Sequence, residues 1–254
     1  MNVVILTQDD PFFLAENLDY LLSDLSPDVN VTGCVVFEAS PFGGKESFLS
    51  KILKTWNIFG TGFLFNYGIR FLRNKLDPTK KVKTILERHS VPVIELDSSI
   101  NSHESLEKIK FYEPDLLVSI AGNQIFKEEL INLAPEGCLN LHTALLPKYR
   151  GLMPSFWVLK NNEDYTGVSV FFVDEGIDSG PILVQKKFEI GDQSQQELIQ
   201  ETKKLGMDAI IEAIDLVKKG EYKLIPNPDE KMTYYSFPKR EDVEEFWQLG
   251  KEFY

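Results

Sequence analysis

Five short apolar runs, separated by stretches of helical periodicity, constrain this chain more than any other feature. Residues 3–7 (VVILT), 31–37 (VTGCVVF), 92–96 (PVIEL), 116–121 (LLVSIA) and 138–142 (CLNLH) have strand length and strand composition. The first is apolar on both faces, as in a sheet covered on both sides. Residues 11–25, 80–89, 105–111 and 126–133 read as helices, and Leu14, Leu18, Leu21, Leu22 and Leu25 share one side of the first. Strand–helix alternation of this kind demands parallel strands joined by crossover helices, which is an α/β architecture.

Two regions break the rhythm. After the second strand come a glycine-rich turn, SPFGGKES at 40–47, and two apolar helical segments through Arg73, interrupted near Gly60 and Gly62. Beyond Gly151, residues 152–161 look helical, and 167–173 (GVSVFFV) and 182–188 (ILVQKKF) read as strands. The loop DEGIDSGP between them is long enough for an antiparallel pair. Residues 194–219 form a long helix with a polar start and a basic end, as the helix dipole prefers. The rest is too short for an independent core, so the expected division is a catalytic domain at 1–220 and a C-terminal extension at 221–254.

Charge is uneven. The formal total is −12, which opposes tight binding to a nucleic-acid backbone. Between residues 45 and 83, nine cations (among them Lys45, Arg70 and Arg73) face only Glu46 and Asp77, a local excess of +7 that leaves −19 elsewhere. Such a surface either meets something anionic or is a solvated helical face. Cys34 and Cys138 lie inside predicted strands without metal-ligand spacing and read as buried free thiols. The N-terminal run lacks a basic start and a small-residue cleavage site, and no stretch has membrane-span length, so the expected location is the cytoplasm.

Ligands of open α/β sheets bind at the carboxyl ends of the strands. Asn140 and His142 stand at such an end, two residues apart and therefore on one face. Asn offers an amide donor, and His a donor or an acid/base. Leu145, Leu146 and Pro147 would wall the site. A second shaped segment, VDEGIDSGPI, has Asp178 at its centre. Brought to His142, that carboxylate would orient the imidazole and favour its charged form. The three together would bind an oxyanion and move a proton. On spacing alone, a histidine at a strand end is more often structural than catalytic. No Ser, Thr or Cys occupies a nucleophile elbow, which favours direct attack by a bound amine over a covalent enzyme intermediate.

The segments Asn140-Leu141-His142-Thr143-Ala144-Leu145-Leu146-Pro147-Lys148-Tyr149-Arg150-Gly151 and Val173-Asp174-Glu175-Gly176-Ile177-Asp178-Ser179-Gly180 together resemble the formyltransferases that use 10-formyltetrahydrofolate. The resemblance covers roughly residues 90–190 and departs at Thr143-Ala144, where Pro-Ser is common. It implies a Rossmann-like formyltransferase fold: a mostly parallel sheet, flanking helices and a short C-terminal extension. It also implies a catalytic trio of Asn140, His142 and Asp178. The donor would lie against Ala121, Gly122, Asn123, Gln124, Leu145, Val173, Glu175 and Asp178.

The same resemblance frames the acceptor. Glycinamide-ribonucleotide enzymes of the family carry a glycine-rich phosphate loop after the first strand; here that place reads Leu6-Thr7-Gln8-Asp9-Asp10-Pro11, with two acids. Methionyl-tRNA enzymes carry an additional C-terminal β-domain, and the family's hydrolases an N-terminal regulatory one; neither is apparent in this sequence. The expected acceptor is a small anionic amine, a nucleotide-linked amino sugar, with no nucleic acid. Lys45, Arg70 or Arg73 would meet its diphosphate, and Trp56, Phe59, Phe63, Phe65 or Tyr67 would stack on it or fill the core. The alternatives are a methionyl-tRNA or glycinamide-ribonucleotide formyltransferase, a formyltetrahydrofolate hydrolase, and a non-catalytic folate-binding protein. The basic aromatic helices are also compatible with a membrane surface, and the aromatic tail (Tyr234, Tyr235, Phe237, Phe246, Trp247) either with a homodimer contact or with packing onto its own domain.

Overall fold

The computed structural model describes residues 1–38 and 48–254; the glycine-rich turn and Lys45 lie outside the described residues. A seven-stranded sheet has the order β3-β2-β1-β4-β5-β7-β8. Its strands are β1 (Asn2–Gln8), β2 (Asn30–Phe37), β3 (Val93–Ile94), β4 (Leu116–Ile120), β5 (Cys138–His142), β7 (Tyr165–Phe172) and β8 (Ile182–Glu189). The first five are mutually parallel; β7 then runs antiparallel to β5, and β8 to β7. The mostly parallel α/β sheet expected from the sequence is the observed one.

Strand periodicity sorts the core. Val3 and Ile5 of β1, Leu116, Val118 and Ile120 of β4, and Leu139 and Leu141 of β5 bury one face. That face packs under α1 (Leu14–Asp24), α3 (Val82–Arg88) and α7 (Gln195–Lys219), which contribute Leu18, Leu86 and Ile210. Val4, Leu6, Leu117 and Cys138 bury the other face, with Leu106 and Ile109 of α4 (His103–Lys110) and Leu130 of α5 (Glu128–Ile131). Asn140 and His142 have the parity of Cys138 and so belong to this second face. The helix α7 is delimited by its own sequence: Ser194 and Glu197 form a reciprocal capping box, and Gly220 closes it at φ +67°.

The sequence overestimates several elements. The strand expected over 92–96 pairs only at Val93–Ile94, and the helix expected over 126–133 is the single turn α5. Both are short local runs whose ends are set by neighbouring loops rather than by propensity. The helical region α2 (Phe48–Leu76) is broken at Gly60 (φ 78°, ψ 178°), as the glycines predict. Burial pushes the Cys138 thiol up to about 12, and also raises Cys34, so both are buried, unreactive free thiols.

A third core joins distant segments. Phe59 of α2, Phe156 and Trp157 of α6 (Pro154–Lys160), Leu198 of α7, Val243 and Phe246 of α8 (Arg240–Gln248), and Phe253 pack together. Of the two uses open to the aromatic tail, packing onto its own domain accounts for Phe246, which is fully buried with ring centroids 5.0 Å from Phe156 and 4.7 Å from Phe253. Tyr234 and Trp247 stay partly exposed. Truncating Phe246 to Ala should therefore lower unfolding free energy by about 3–5 kcal/mol, as for a core aromatic, measured by urea denaturation.

Candidate active site

The backbone of β5 ends level with the loops that serve it. Ser119 pairs with Asn140 and Ile120 with Leu141, so Ala121 follows level with His142. On the other side, Asn140 faces Phe171 and His142 faces Ser169 across the antiparallel pair. The chain leaves β7 at the amino end of β5, where the Val173 amide bonds Cys138 O at 2.8 Å. The connection 173–181 then folds back along the strand until Asp178 reaches His142.

The histidine is buried, 6% exposed, and its ring is held from two sides. Nε2 lies 2.7 Å from the Tyr149 carbonyl oxygen, which only accepts, so Nε2 carries the proton. Nδ1 faces Asp178 Oδ2 at 3.6 Å, an ion-pair separation longer than a hydrogen bond. The same carboxylate oxygen accepts the Gly151 amide at 2.8 Å. Asn140 is half-buried, and among the described residues its side-chain amide has no hydrogen-bond partner. A free amide, an imidazole with one uncommitted nitrogen and a fixed carboxylate thus share one end of β5.

Residues outside the two motifs, Asn227, Ser169 and Gln185 among them, help to hold this arrangement. Asp178 adopts a left-handed backbone (φ 48°), which costs energy for a non-glycine residue. Asn227 clamps it: Nδ2 donates to Asp178 O and Gly180 O, both at 2.9 Å. Asn227 is in turn gripped by Arg150, whose Nη2 donates to its backbone and side-chain oxygens at 3.0 Å while Nη1 bonds Asp229. Gly151 (φ 97°) runs against the tail in a two-residue parallel pair, β6 (Arg150–Gly151) with β9 (Tyr234–Tyr235). A Cβ on Gly151 would sit 2.3 Å from Tyr235 O, so only glycine fits. Ser169 and Gln185 pin the 144–147 turn: Ser169 Oγ bonds Ala144 O and the Leu146 amide, and Gln185 Nε2 bonds Leu146 O. Burial pushes the Tyr149 phenol up, and Tyr149 donates to Glu163 Oε1 at 2.7 Å. A long-range partner of this kind leaves no periodic signal in sequence.

The expected donor residues fall in two groups. Ala121, at φ 56°, starts the loop after β4. Asn123 Nδ2 bonds Glu38 O at 2.8 Å and Gln124 Oε1 accepts the Ile100 amide at 3.4 Å, so these side chains fasten loops and leave the loop's backbone for contact. Leu145 is half-buried beside the strand end. Val173 and Glu175 sit apart, lining a shallow depression with Glu128, Ile131, Asn132 and Asp174. It is the Asp178 end of that loop, rather than the Val173 end, that stands level with Ala121.

On the acceptor side, burial holds Asp10 above the usual carboxylate range, and its Oδ1 accepts the Phe12 amide at 2.9 Å, so this acid is turned to its own loop. Arg70, assigned from sequence to a diphosphate, is engaged internally: it bonds Gln196 Oε1 at 2.6 Å and stacks over Phe12 and Tyr254. Phe59 and Phe63 stack on each other inside the third core, whereas Trp56 and Phe65 are exposed.

A mostly parallel sheet with an asparagine, a histidine and an aspartate gathered at one strand end is a Rossmann-like architecture with polar groups where such sheets bind ligands. The model of the family described as formyl transferase matches residues 71–214, and the chain belongs to that family. It is 34% identical over 210 residues to a methionyl-tRNA formyltransferase of Kosmotoga olearia, covering 82% of this chain and 67% of that protein. It spans about half the length of other methionyl-tRNA formyltransferases that it matches. Solved structures of the same fold include glycinamide ribonucleotide transformylase 1 from Symbiobacterium toebii, with TM-score 0.59, 18% identity, and coverage of 87% of this chain and 88% of that one. Another is the N-formyltransferase from Helicobacter canadensis in complex with folinic acid and dTDP-3-aminofucose, with TM-score 0.56, 19% identity, and coverage of 94% and 71%.

Replacing Asn227 by Ala removes two hydrogen bonds to the Asp178 loop. Hydrogen exchange of the Gly151 amide should then accelerate by roughly tenfold or more, at about 1 kcal/mol per bond lost.

Proposed function

We propose that this chain transfers a formyl group from 10-formyltetrahydrofolate to a primary amine of a small anionic acceptor, a nucleotide-linked amino sugar. The observation that carries this reading is the convergence of Asn140, His142 and Asp178 at the end of β5, with the Asn140 amide left unpartnered among the described residues. The donor supplies an activated formyl carbon: one carbon–nitrogen bond forms, the old one breaks, and a proton moves from the acceptor amine to the folate nitrogen.

Each residue has a role set by its geometry. Asn140 donates its amide to the carbonyl oxygen as that oxygen gains negative charge. His142 has Nε2 committed to Tyr149, so Nδ1 is the atom that takes a second proton; the resulting charge stabilises the same oxygen. Asp178 faces Nδ1 at 3.6 Å and offers the counter-charge, and a water held by its carboxylate would carry the proton from the amine to the folate nitrogen. The backbone of Ala121, Gly122, Asn123 and Gln124, together with Leu145 and Asp178, would hold the donor, whereas Val173 and Glu175 line the separate depression at the other end of the loop. Residues 1–220 are the catalytic domain in this reading, and the extension 221–254 contributes Asn227 to it.

A second acceptor has its own support. The curated relatives described above are methionyl-tRNA formyltransferases, which favours an aminoacyl-tRNA amine. The charge of −12 favours the smaller acceptor. Purified protein given the formyl donor should release tetrahydrofolate with a nucleoside-diphosphate amino sugar and not with charged initiator tRNA. The reverse result would replace the sugar by tRNA, and equal release without any amine would make the protein a hydrolase. The His142→Asn variant should lose about 10²- to 10⁴-fold in turnover, the usual contribution of a positioned acid/base; unchanged turnover would remove His142 from the mechanism.

A further inference from the structure

The region α2 is apolar on two opposite sides. Its inner side packs Phe59, Phe63 and Tyr67 against Phe12, Phe253 and Tyr254. That side satisfies the ordinary need of an amphipathic helix to bury one stripe. The outer side is a second stripe. After Gly60, Phe65, Ile69, Leu72 and Leu76 advance by four, three and four residues and therefore share one face. They are 71%, 53%, 63% and 83% exposed. Before Gly60, Leu49, Leu53 and Trp56 repeat the spacing and are each about half exposed or more. Trp56 Nε1 donates to Thr61 Oγ1 at 3.1 Å across the break, and Thr61 lies one turn before Phe65, so the two stripes meet there.

Charge identifies the partner. The 29 residues of α2 contain Lys51, Lys54, Arg70, Arg73 and Lys75 and no Asp or Glu, in a chain whose acids outnumber its bases by twelve. Arg73 and Lys75 are exposed and, by helical position, flank the Phe65–Leu76 stripe on either side. Acids of the adjacent α8 are largely answered: Glu244 pairs with Arg240, and Asp242 and Glu245 pair with Lys160. Exposed Leu, Ile and Phe side chains rimmed by cations match the boundary between acyl chains and anionic headgroups. A nucleic-acid backbone would use the cations but not the aliphatic stripe. A second copy meeting this face through a two-fold axis would bring together two cation-rimmed faces of a helix that has no acid to pair with them. Among the described residues no helix is long and apolar enough to cross a membrane.

We propose that the outer face of α2 docks on an anionic lipid bilayer, lying in its surface. The inference is independent of which amine the site takes. The test is co-sedimentation of the full chain with phosphatidylcholine vesicles, with and without phosphatidylglycerol. Binding should require the anionic lipid and weaken with salt. Arg73→Gln and Lys75→Gln should each reduce the partition coefficient by about fivefold, and the triple change Phe65→Ser, Ile69→Ser, Leu72→Ser should abolish binding. All five side chains project from the surface, and circular dichroism checks that the variants keep their fold. Absence of vesicle binding, or binding unchanged in the triple variant, overturns the proposal. Self-association in light scattering that the triple variant abolishes, without vesicle binding, would assign the stripe to a second copy. Binding of tRNA that depends on Arg73 and Lys75 but not on the stripe, again without vesicle binding, would assign the cations to nucleic acid.

Discussion

The hydrogen bond from the Gly151 amide to the Asp178 carboxylate is the constraint on which the rest of the site depends. It joins two segments that leave β5 in different ways: one continues the strand through a tight turn, and the other returns from β7. Without it, a carboxylate on a nine-residue connection would have a wide range of positions. With it, one oxygen is fixed and the other properties follow. His142 meets that oxygen with Nδ1 because Nε2 is already held by Tyr149. The bond requires glycine at 151, since the tail strand passes too close for any Cβ. The polar groups buried here are nearly all answered, the Arg150 Nε being an exception, as a site of defined geometry requires.

The C-terminal segment is therefore part of the site's support as well as of the core. Asn227 and Arg150 hold the strained Asp178 backbone from behind, and Thr233 Oγ1 accepts the Tyr149 amide at 2.8 Å. Phe246 and Phe253 fasten the same segment to α6, and through Phe59 and Phe63 to α2. The tail is thus connected by packing and hydrogen bonds to the loops at the end of β5. The exposed face of α2 stands on the outside of the same aromatic core.

Much of the fold was legible because it rests on local periodicity. Val3–Thr7 and Leu116–Ile120 are buried on both faces, and such strands announce themselves as unbroken apolar runs. The extent of α7 was readable from its polar start and basic end, and the break in α2 from Gly60 and Gly62. The pairing of Asn140 with His142 followed from a period of two. The side-chain partners of Arg70, Asn123 and Gln124 did not follow from the sequence, because a polar side chain has several partners available and only the fold chooses among them. Arg70 is taken up by Gln196, Phe12 and Tyr254, partners 126, 58 and 184 positions away by residue number.

By itself the sequence determined which residues form a parallel sheet, which strand end carries an amide and an imidazole, and where a glycine-shaped loop carries an aspartate. Those properties depend on neighbours within a few residues, where backbone geometry and hydrophobic burial act directly. Tertiary structure alone decided that Asp178 reaches His142 by folding back along β5, that the tail clamps it through Asn227, and that α2 buries one apolar side and leaves the other in solvent. Each of these is a choice among contacts far apart in the chain. It is settled by which surfaces the packed core leaves adjacent and which buried polar groups must find a partner.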